Sequence, residues 1–183
     1  MQRIVFASVM AAAGLAQATE FTLVSAEIKA DTVIPKRFEF KGFGCTGDNR
    51  SPALKWSGAP PEAKSFAVTV YDPDAPSGSG WWHWSVVNIP ASVTELASNA
   101  GDVGGAGLPK GAVQLPTDYG AAAWGGMCPP QGDKPHRYVF TVYAMKTDKV
   151  AVPAAATGAS MESLLTAGAL GKASFTARYG RAK

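Results

Sequence analysis

Two histidines are all the chain has, and each stands where a rigid loop runs into a strand. His83 follows Asp72-Pro73-Asp74-Ala75-Pro76 and the Trp81-Trp82 pair, and His136 follows Pro129-Pro130-Gln131-Gly132-Asp133-Lys134-Pro135. Tyr138 lies two residues beyond His136, on the same face of an extended chain. Strand ends that carry loops are where folds place binding groups. Brought together, Asp72, His83, His136 and Tyr138 would line one pocket. Two imidazoles and a phenol offer donors to an oxyanion, and backbone N–H groups of Gly125-Gly126 could add more. A carboxylate nearby can fix an imidazole tautomer, take the proton of a monoprotonated phosphate, or attract an ammonium attached to that phosphate. Aromatic walls would exclude water and select by shape.

Plainer readings stand beside these. Asp72 and Asp74 can organise a proline-containing turn through side-chain to backbone bonds. The histidines can be satisfied core residues, Tyr138 wall packing, and Trp81, Trp82 and Trp84 core. A hydrolase using His83 and Asp72 as an acid–base pair is the main functional alternative. Against it, there is no G-x-S-x-G elbow. Cys128 could act as a nucleophile with His136 only if its thiol is free. His83, His136 and Asp72 lack the short-range spacing of metal motifs, so neither a metal nor a cofactor is expected.

These residues need strands to carry them. Ser65–Tyr71, Trp82–Ile89 and His136–Met145 are the strongest strand patterns. Phe66, Val68, Val70 and Asp72 share one face, as do His83, Ser85, Val87 and Ile89, and His136, Tyr138, Phe140 and Val142. Phe21–Ile28, Lys36–Phe40, Leu54–Trp56 and Phe175–Tyr179 read as further strands. Residues 98–135, rich in glycine and proline, read as a long irregular stretch of the kind that carries function. Ser160 can cap a helix whose stripe is Met161, Leu164, Leu165 and Gly168-Ala169. The expected fold is therefore an all-β sandwich with one short C-terminal helix.

Apolar residues make up 46% of the 183 and charged residues 17%, which excludes a disordered chain and fits one domain. The net charge of +3 is not clustered, so nucleic acid is not an expected partner. Met1-Gln2-Arg3, the apolar run Ile4–Ala16 and Ala16-Gln17-Ala18 have the order of a secretory signal peptide, cleaved after Ala18. The run is too short to span a bilayer. Residues 1–18 are thus expected to be removed and 19–183 to form the exported domain, in the periplasm or outside the cell. In an oxidising compartment Cys45 and Cys128 invite a disulfide; two buried free thiols are the alternative.

Three separated motifs resemble the phosphatidylethanolamine-binding protein family, and most closely its bacterial exported, Raf-kinase-inhibitor-like branch. They are Gly47-Asp48-Asn49-Arg50-Ser51-Pro52-Ala53-Leu54 with Trp56; Asp72-Pro73-Asp74-Ala75-Pro76 with Gly80-Trp81-Trp82-His83-Trp84; and Pro129-Pro130 with Gly132-Asp133 and His136-Arg137-Tyr138. The resemblance runs from about Phe21 to about Tyr179. It implies a β-sandwich with a pocket for phosphate-type head groups such as phosphoethanolamine, bound without chemistry. Carried over by motif, the pocket residues are Asp72, Asp74, His83, Pro130, His136 and Tyr138, with Gly126 and Met127 on the rim. Relatives of this kind act on partner proteins or form homodimers, which makes both expectations here. The chain departs from the branch at Met127, where proline is common, and at Leu115-Pro116-Thr117, before Asp118-Tyr119-Gly120.

Overall fold

The computed structural model describes residues 20–183. The signal-peptide reading, with its cleavage point after Ala18, lies outside the described residues. Ten strands and one α-helix follow in the order β1 (Thr22–Val24), β2 (Lys41–Gly42), β3 (Cys45–Thr46), β4 (Leu54–Ser57), β5 (Ser65–Asp72), β6 (Trp81–Pro90), β7 (Glu95–Leu96), β8 (Val113–Gln114), β9 (His136–Met145), α1 (Gly158–Gly168) and β10 (Ala169–Tyr179). A five-stranded antiparallel sheet runs β10-β9-β5-β6-β8, a three-stranded sheet β1-β4-β7, and β2-β3 form a hairpin.

Hydrophobic alternation explains the layers. Phe66, Val68 and Val70 of β5 and Tyr138, Phe140 and Val142 of β9 share a buried cluster with Leu23, Leu54, Trp56 and Leu96 of the small sheet. The other face of the large sheet presents Ala67, Val87, Tyr143 and Met145 to Met161 and Leu165 of α1. Each large apolar side chain so buried contributes about 1.5–3 kcal/mol. The fold is thus a β-sandwich with a helix on its outer face. No helix among the described residues is long and apolar enough to cross a membrane.

Several local expectations change. Lys36–Phe40 is not a strand: Lys36–Phe38 is a 3-10 turn after Pro35, closed by the Glu39 N–H on the Lys36 carbonyl at 2.9 Å. The consecutive residues Phe38 and Glu39 are both buried at this bend, and the Glu39 carboxylate accepts the Thr46 N–H at 3.0 Å. Only Thr22–Val24 of Phe21–Ile28 is a strand; beyond it Ser25 Oγ accepts the N–H groups of Glu27 and Ile28 and turns the chain. The last strand begins at Ala169 rather than Phe175, because β9 pairs with it along its whole length. Thr157, not Ser160, is the N-cap of α1; Ser160 is the N3 partner of a capping box. Leu164 of the expected stripe is 52% exposed.

Candidate functional site

The site sits at one end of the large sheet, where β5 ends and β6 and β9 begin. Asp72 closes the Phe66-Val68-Val70 row and meets His136, the first residue of β9: Oδ2 accepts from His136 Nδ1 at 2.8 Å, with both side chains buried. Oδ1 of Asp72 accepts the Asp74 N–H at 2.8 Å and holds the turn that leaves the strand.

His83 reaches the site through a bulge. Val70 pairs with Trp84 and Tyr71 with Trp82, so β6 spends one residue more than β5 there, and that residue is His83. A second extra residue falls between Val86 and Ile89, where Asn88 has φ 61° and its side chain bonds Val150 on both sides. The expected face of His83, Ser85, Val87 and Ile89 therefore does not exist. Val87 packs toward α1, and a side chain at Gly158, the first residue of α1, would meet Ser85 Oγ. His83 is turned to the sandwich side, edge-on to Tyr138 with ring centroids 5.1 Å apart, and Ile89 returns to the core.

Around these residues lies a cavity of about 350 Å³, within the range of small-molecule sites. Asp72, His83, Pro130, His136 and Tyr138 line it together with Phe43, Trp81, Asp118, Tyr119, Ala75, Pro76, Cys128 and Pro129. The expected convergence is present. Asp74 and Gly126 are not part of this wall. The Asp74 carboxylate is taken by Arg137, at 2.6 Å from Nη2, 2.9 Å from Nε and 2.8 Å from the backbone N–H. That guanidinium lowers its pKa to about 2. Gly126 stands behind the wall. Its N–H donates to Asn49 Oδ1 at 2.8 Å and the Gly125 N–H to the His83 carbonyl at 2.8 Å, so neither is free for an anion. Met127 is buried in the core, not on the rim.

Sequence reasoning placed Trp81 with the core tryptophans and assigned no role to Phe43, Asp118 or Tyr119. Trp82 and Trp84 are buried, whereas Trp81 borders the cavity. Tyr119 stacks on Phe40 at 4.1 Å and meets Trp81 edge-on at 5.3 Å. Phe43, with φ 51° and 80% exposed, stands at the mouth. Asp118 Oδ2 accepts the Trp82 N–H at 2.7 Å, which sets the Asp118–Tyr119 loop against β6. The aromatic run at 81–84 and the Gly-flanked Phe43 were the available signals. Only the bulge decides which ring faces inward.

The Cys45–Cys128 disulfide joins the β2-β3 hairpin to the Cys128–Pro130 wall. Arg181 reinforces the joint, with Nε donating to the Pro129 carbonyl at 2.7 Å and Nη1 to that of Gly44 at 3.1 Å. Cys128 therefore has no free thiol, and the nucleophile reading fails. The His83–Asp72 acid–base pair is not made either: Asp72 bonds His136, while His83 Nδ1 lies 2.7 Å from the Gly125 carbonyl oxygen and 3.2 Å from that of Gly126.

Electrostatics separate the two imidazoles. Burial pushes the pKa of His83 down, with the two carbonyl bonds and Asp72 only partly opposing it. Burial, then the Asp72 charge, pushes the Tyr138 and Tyr119 phenols far up, so both stay protonated donors. Because folded His83 resists protonation while the unfolded ring titrates near 6.5, the unfolded state binds more protons below that pH. Stability should fall as pH drops below about 6.5, by up to about 1.4 kcal/mol per pH unit from this ring. Urea unfolding at pH 7 and pH 5 measures it, and His83→Gln should flatten the difference. An equal loss in both proteins would assign it to other groups.

The family model described as phosphatidylethanolamine-binding protein matches residues 24–180. The chain is 54% identical over 164 residues to UPF0098 protein YbcL of Escherichia coli, covering 90% of each chain. It is 43% identical over 157 residues to UPF0098 protein YbhB of the same organism, covering 86% of this chain and 98% of YbhB. The crystal structure of E. coli YbcL, described as a new member of the mammalian PEBP family, superposes with a TM-score of 0.86 at 53% identity. That superposition covers 88% of this chain and 99% of the other.

Proposed function

The chain belongs to the phosphatidylethanolamine-binding protein family, and on that premise we propose that it is an exported binding protein whose cavity takes a phosphate-type group and does not transform it. One observation carries the reading: His136, backed by Asp72 at 2.8 Å, borders the same aromatic-walled cavity as Tyr138 and Trp81. Asp72 accepts from His136 Nδ1 and so fixes the orientation of the ring, with Nε2 as its other edge, 3.7 Å from Asp133 Oδ2. The hydroxyl of Tyr138 and the Nε1–H of Trp81 are buried without protein partners among the described residues, and both are donors. Two carboxylates, Asp72 and Asp118, also border the cavity. They disfavour a bare dianion and favour a phosphate that carries an ammonium, as the phosphoethanolamine head group does. The basic start, apolar run and A-x-A site support export, as does a disulfide that survives in an oxidising compartment.

Calorimetric titration with phosphoethanolamine, phosphate and acetate tests this. The wild type should bind phosphoethanolamine, and His136→Gln, checked for fold by near-ultraviolet circular dichroism, should bind it roughly tenfold to a hundredfold more weakly. Phosphorus NMR should show the ligand unchanged after prolonged incubation. Equal affinity in the two proteins would remove the site assignment, and released phosphate would restore the hydrolase.

A further inference from the structure

Of the two imidazoles at the site, His83 is the one whose hydrogen-bonding direction is fixed by the backbone. Its Nδ1 faces two carbonyl oxygens, of Gly125 at 2.7 Å and Gly126 at 3.2 Å, and carbonyls only accept. Nδ1 therefore carries a hydrogen. The residue is 2% exposed and no carboxylate bonds it, so a charged ring would be buried without an ion partner, at high cost. The ring is neutral, and its Nε2 is a lone pair. That atom is buried and has no partner among the described residues. His83 borders the cavity while the two glycines that hold Nδ1 do not, which leaves the Nε2 edge on the cavity side.

The surroundings do not supply a hydrogen. Asp72 at the end of β5 and Asp118 of the 115–121 loop act on His83 as negative charges. Tyr119, from that same loop, and Tyr138, of β9, pack edge-on at 5.7 and 5.1 Å, and neither hydroxyl bonds Nε2. The Tyr119 hydroxyl is already spent on the Gly126 carbonyl at 3.1 Å. His136, the remaining titratable ring, has its Nδ1 on Asp72.

An oxyanion without a hydrogen would set its own lone pairs against this one. We propose that the cavity selects oxyanions that bring a hydrogen of their own: the monoanion of a phosphate monoester, its P–O–H donating to Nε2 of His83 while its other oxygens accept from Tyr138 and Trp81. The inference rests on the anion-binding reading above and adds the protonation state of the ligand to it. Sulfate esters and fully ionised phosphate esters lack the hydrogen and are rejected on that ground alone.

Three matched ligands test it by calorimetry between pH 5 and 8.5 at constant ionic strength: phosphoethanolamine, 2-aminoethylphosphonate and the sulfate ester of ethanolamine. The sulfate ester has the charge of the phosphate monoanion and the same ammonium, but no hydrogen on its oxyanion. Phosphoethanolamine affinity should level off below its second pKa, near about 6, and fall about tenfold per pH unit above it. The break should move to higher pH for the phosphonate, whose second proton is held more tightly. The sulfate ester should bind at least about tenfold more weakly than phosphoethanolamine at pH 5. A break at one pH for both phosphorus ligands would assign the proton to a protein group such as His136 and overturn the inference, as would equal binding of the sulfate ester. Both outcomes leave the anion site standing. Binding of none of the three at any pH overturns the anion-binding reading, and this inference with it.

Discussion

Cys45→Ser with Cys128→Ser should lower the free energy of unfolding by on the order of 4 kcal/mol and should also weaken binding at the cavity. The cysteines are 83 residues apart in sequence, so the bond closes most of the chain between the hairpin and β9 into one loop. In the chain-entropy account a loop of this size restricts the unfolded state by that amount. A domain of this kind has about 5–15 kcal/mol in total, so the loss is a large share of it. Binding should suffer by a different route. Cys128 borders the cavity, and Cys45 anchors the hairpin that carries Phe43 to its mouth. Without the bond, the rim is held by Arg181 and by the Phe40 N–H on the Met127 carbonyl at 3.0 Å. Urea unfolding of the oxidised protein and the double variant measures the first effect, and titration with phosphoethanolamine well below the unfolding transition measures the second. A change under about 1 kcal/mol would mean that the unfolded chain is already compact around this loop.

What the sequence made legible follows from where local rules and tertiary packing agree. His136–Met145 reads as a strand because its alternation is unbroken, and it is one with the same bounds. Asp72 and His136 could be proposed for one pocket but not set side by side: each continues a regular row, and it is the direct pairing of β5 with β9 that brings them together. His83 could be named but not aimed. A bulge leaves no mark in a run such as Trp81-Trp82-His83-Trp84, so strict alternation assigned the ring to the wrong set of neighbours. Asp74 shows the opposite limit. An aspartate in a motif loop reads as a ligand group, yet Arg137, on the strand beyond, takes its whole carboxylate. Only the three-dimensional pairing reveals that competition. The Gly125-Gly126 loop was expected to offer donors, but its contribution to the site is two carbonyl acceptors that set a histidine tautomer.

Gly126→Ala should be the most damaging single methyl near the site. A Cβ at Gly126 would lie 2.5 Å from the Phe40 nitrogen and 2.6 Å from the Glu39 carbonyl carbon, and would collide with the Phe38 carbonyl oxygen. All three are backbone atoms of a bend that Glu39, Phe40 and Met127 pin together, so no side chain can swing aside. The loop must lift away instead. Lifting it strains three bonds at once: the Gly126 N–H to Asn49, the Tyr119 hydroxyl to the Gly126 carbonyl, and the His83 Nδ1 contact with that carbonyl. Overpacking costs roughly 1–3 kcal/mol and each weakened bond about 0.5–1.5. The expected loss is therefore about 3 kcal/mol or more by urea unfolding, with phosphoethanolamine binding reduced at least about tenfold because His83 and Tyr119 lose their seats. Gly120→Ala is the control. It lies in the same glycine-rich region with φ 88° and open space around its Cβ, so only backbone strain of roughly 1 kcal/mol applies and binding should hold. If the two variants lose stability and affinity alike, the close approach at Gly126 is not what seats His83.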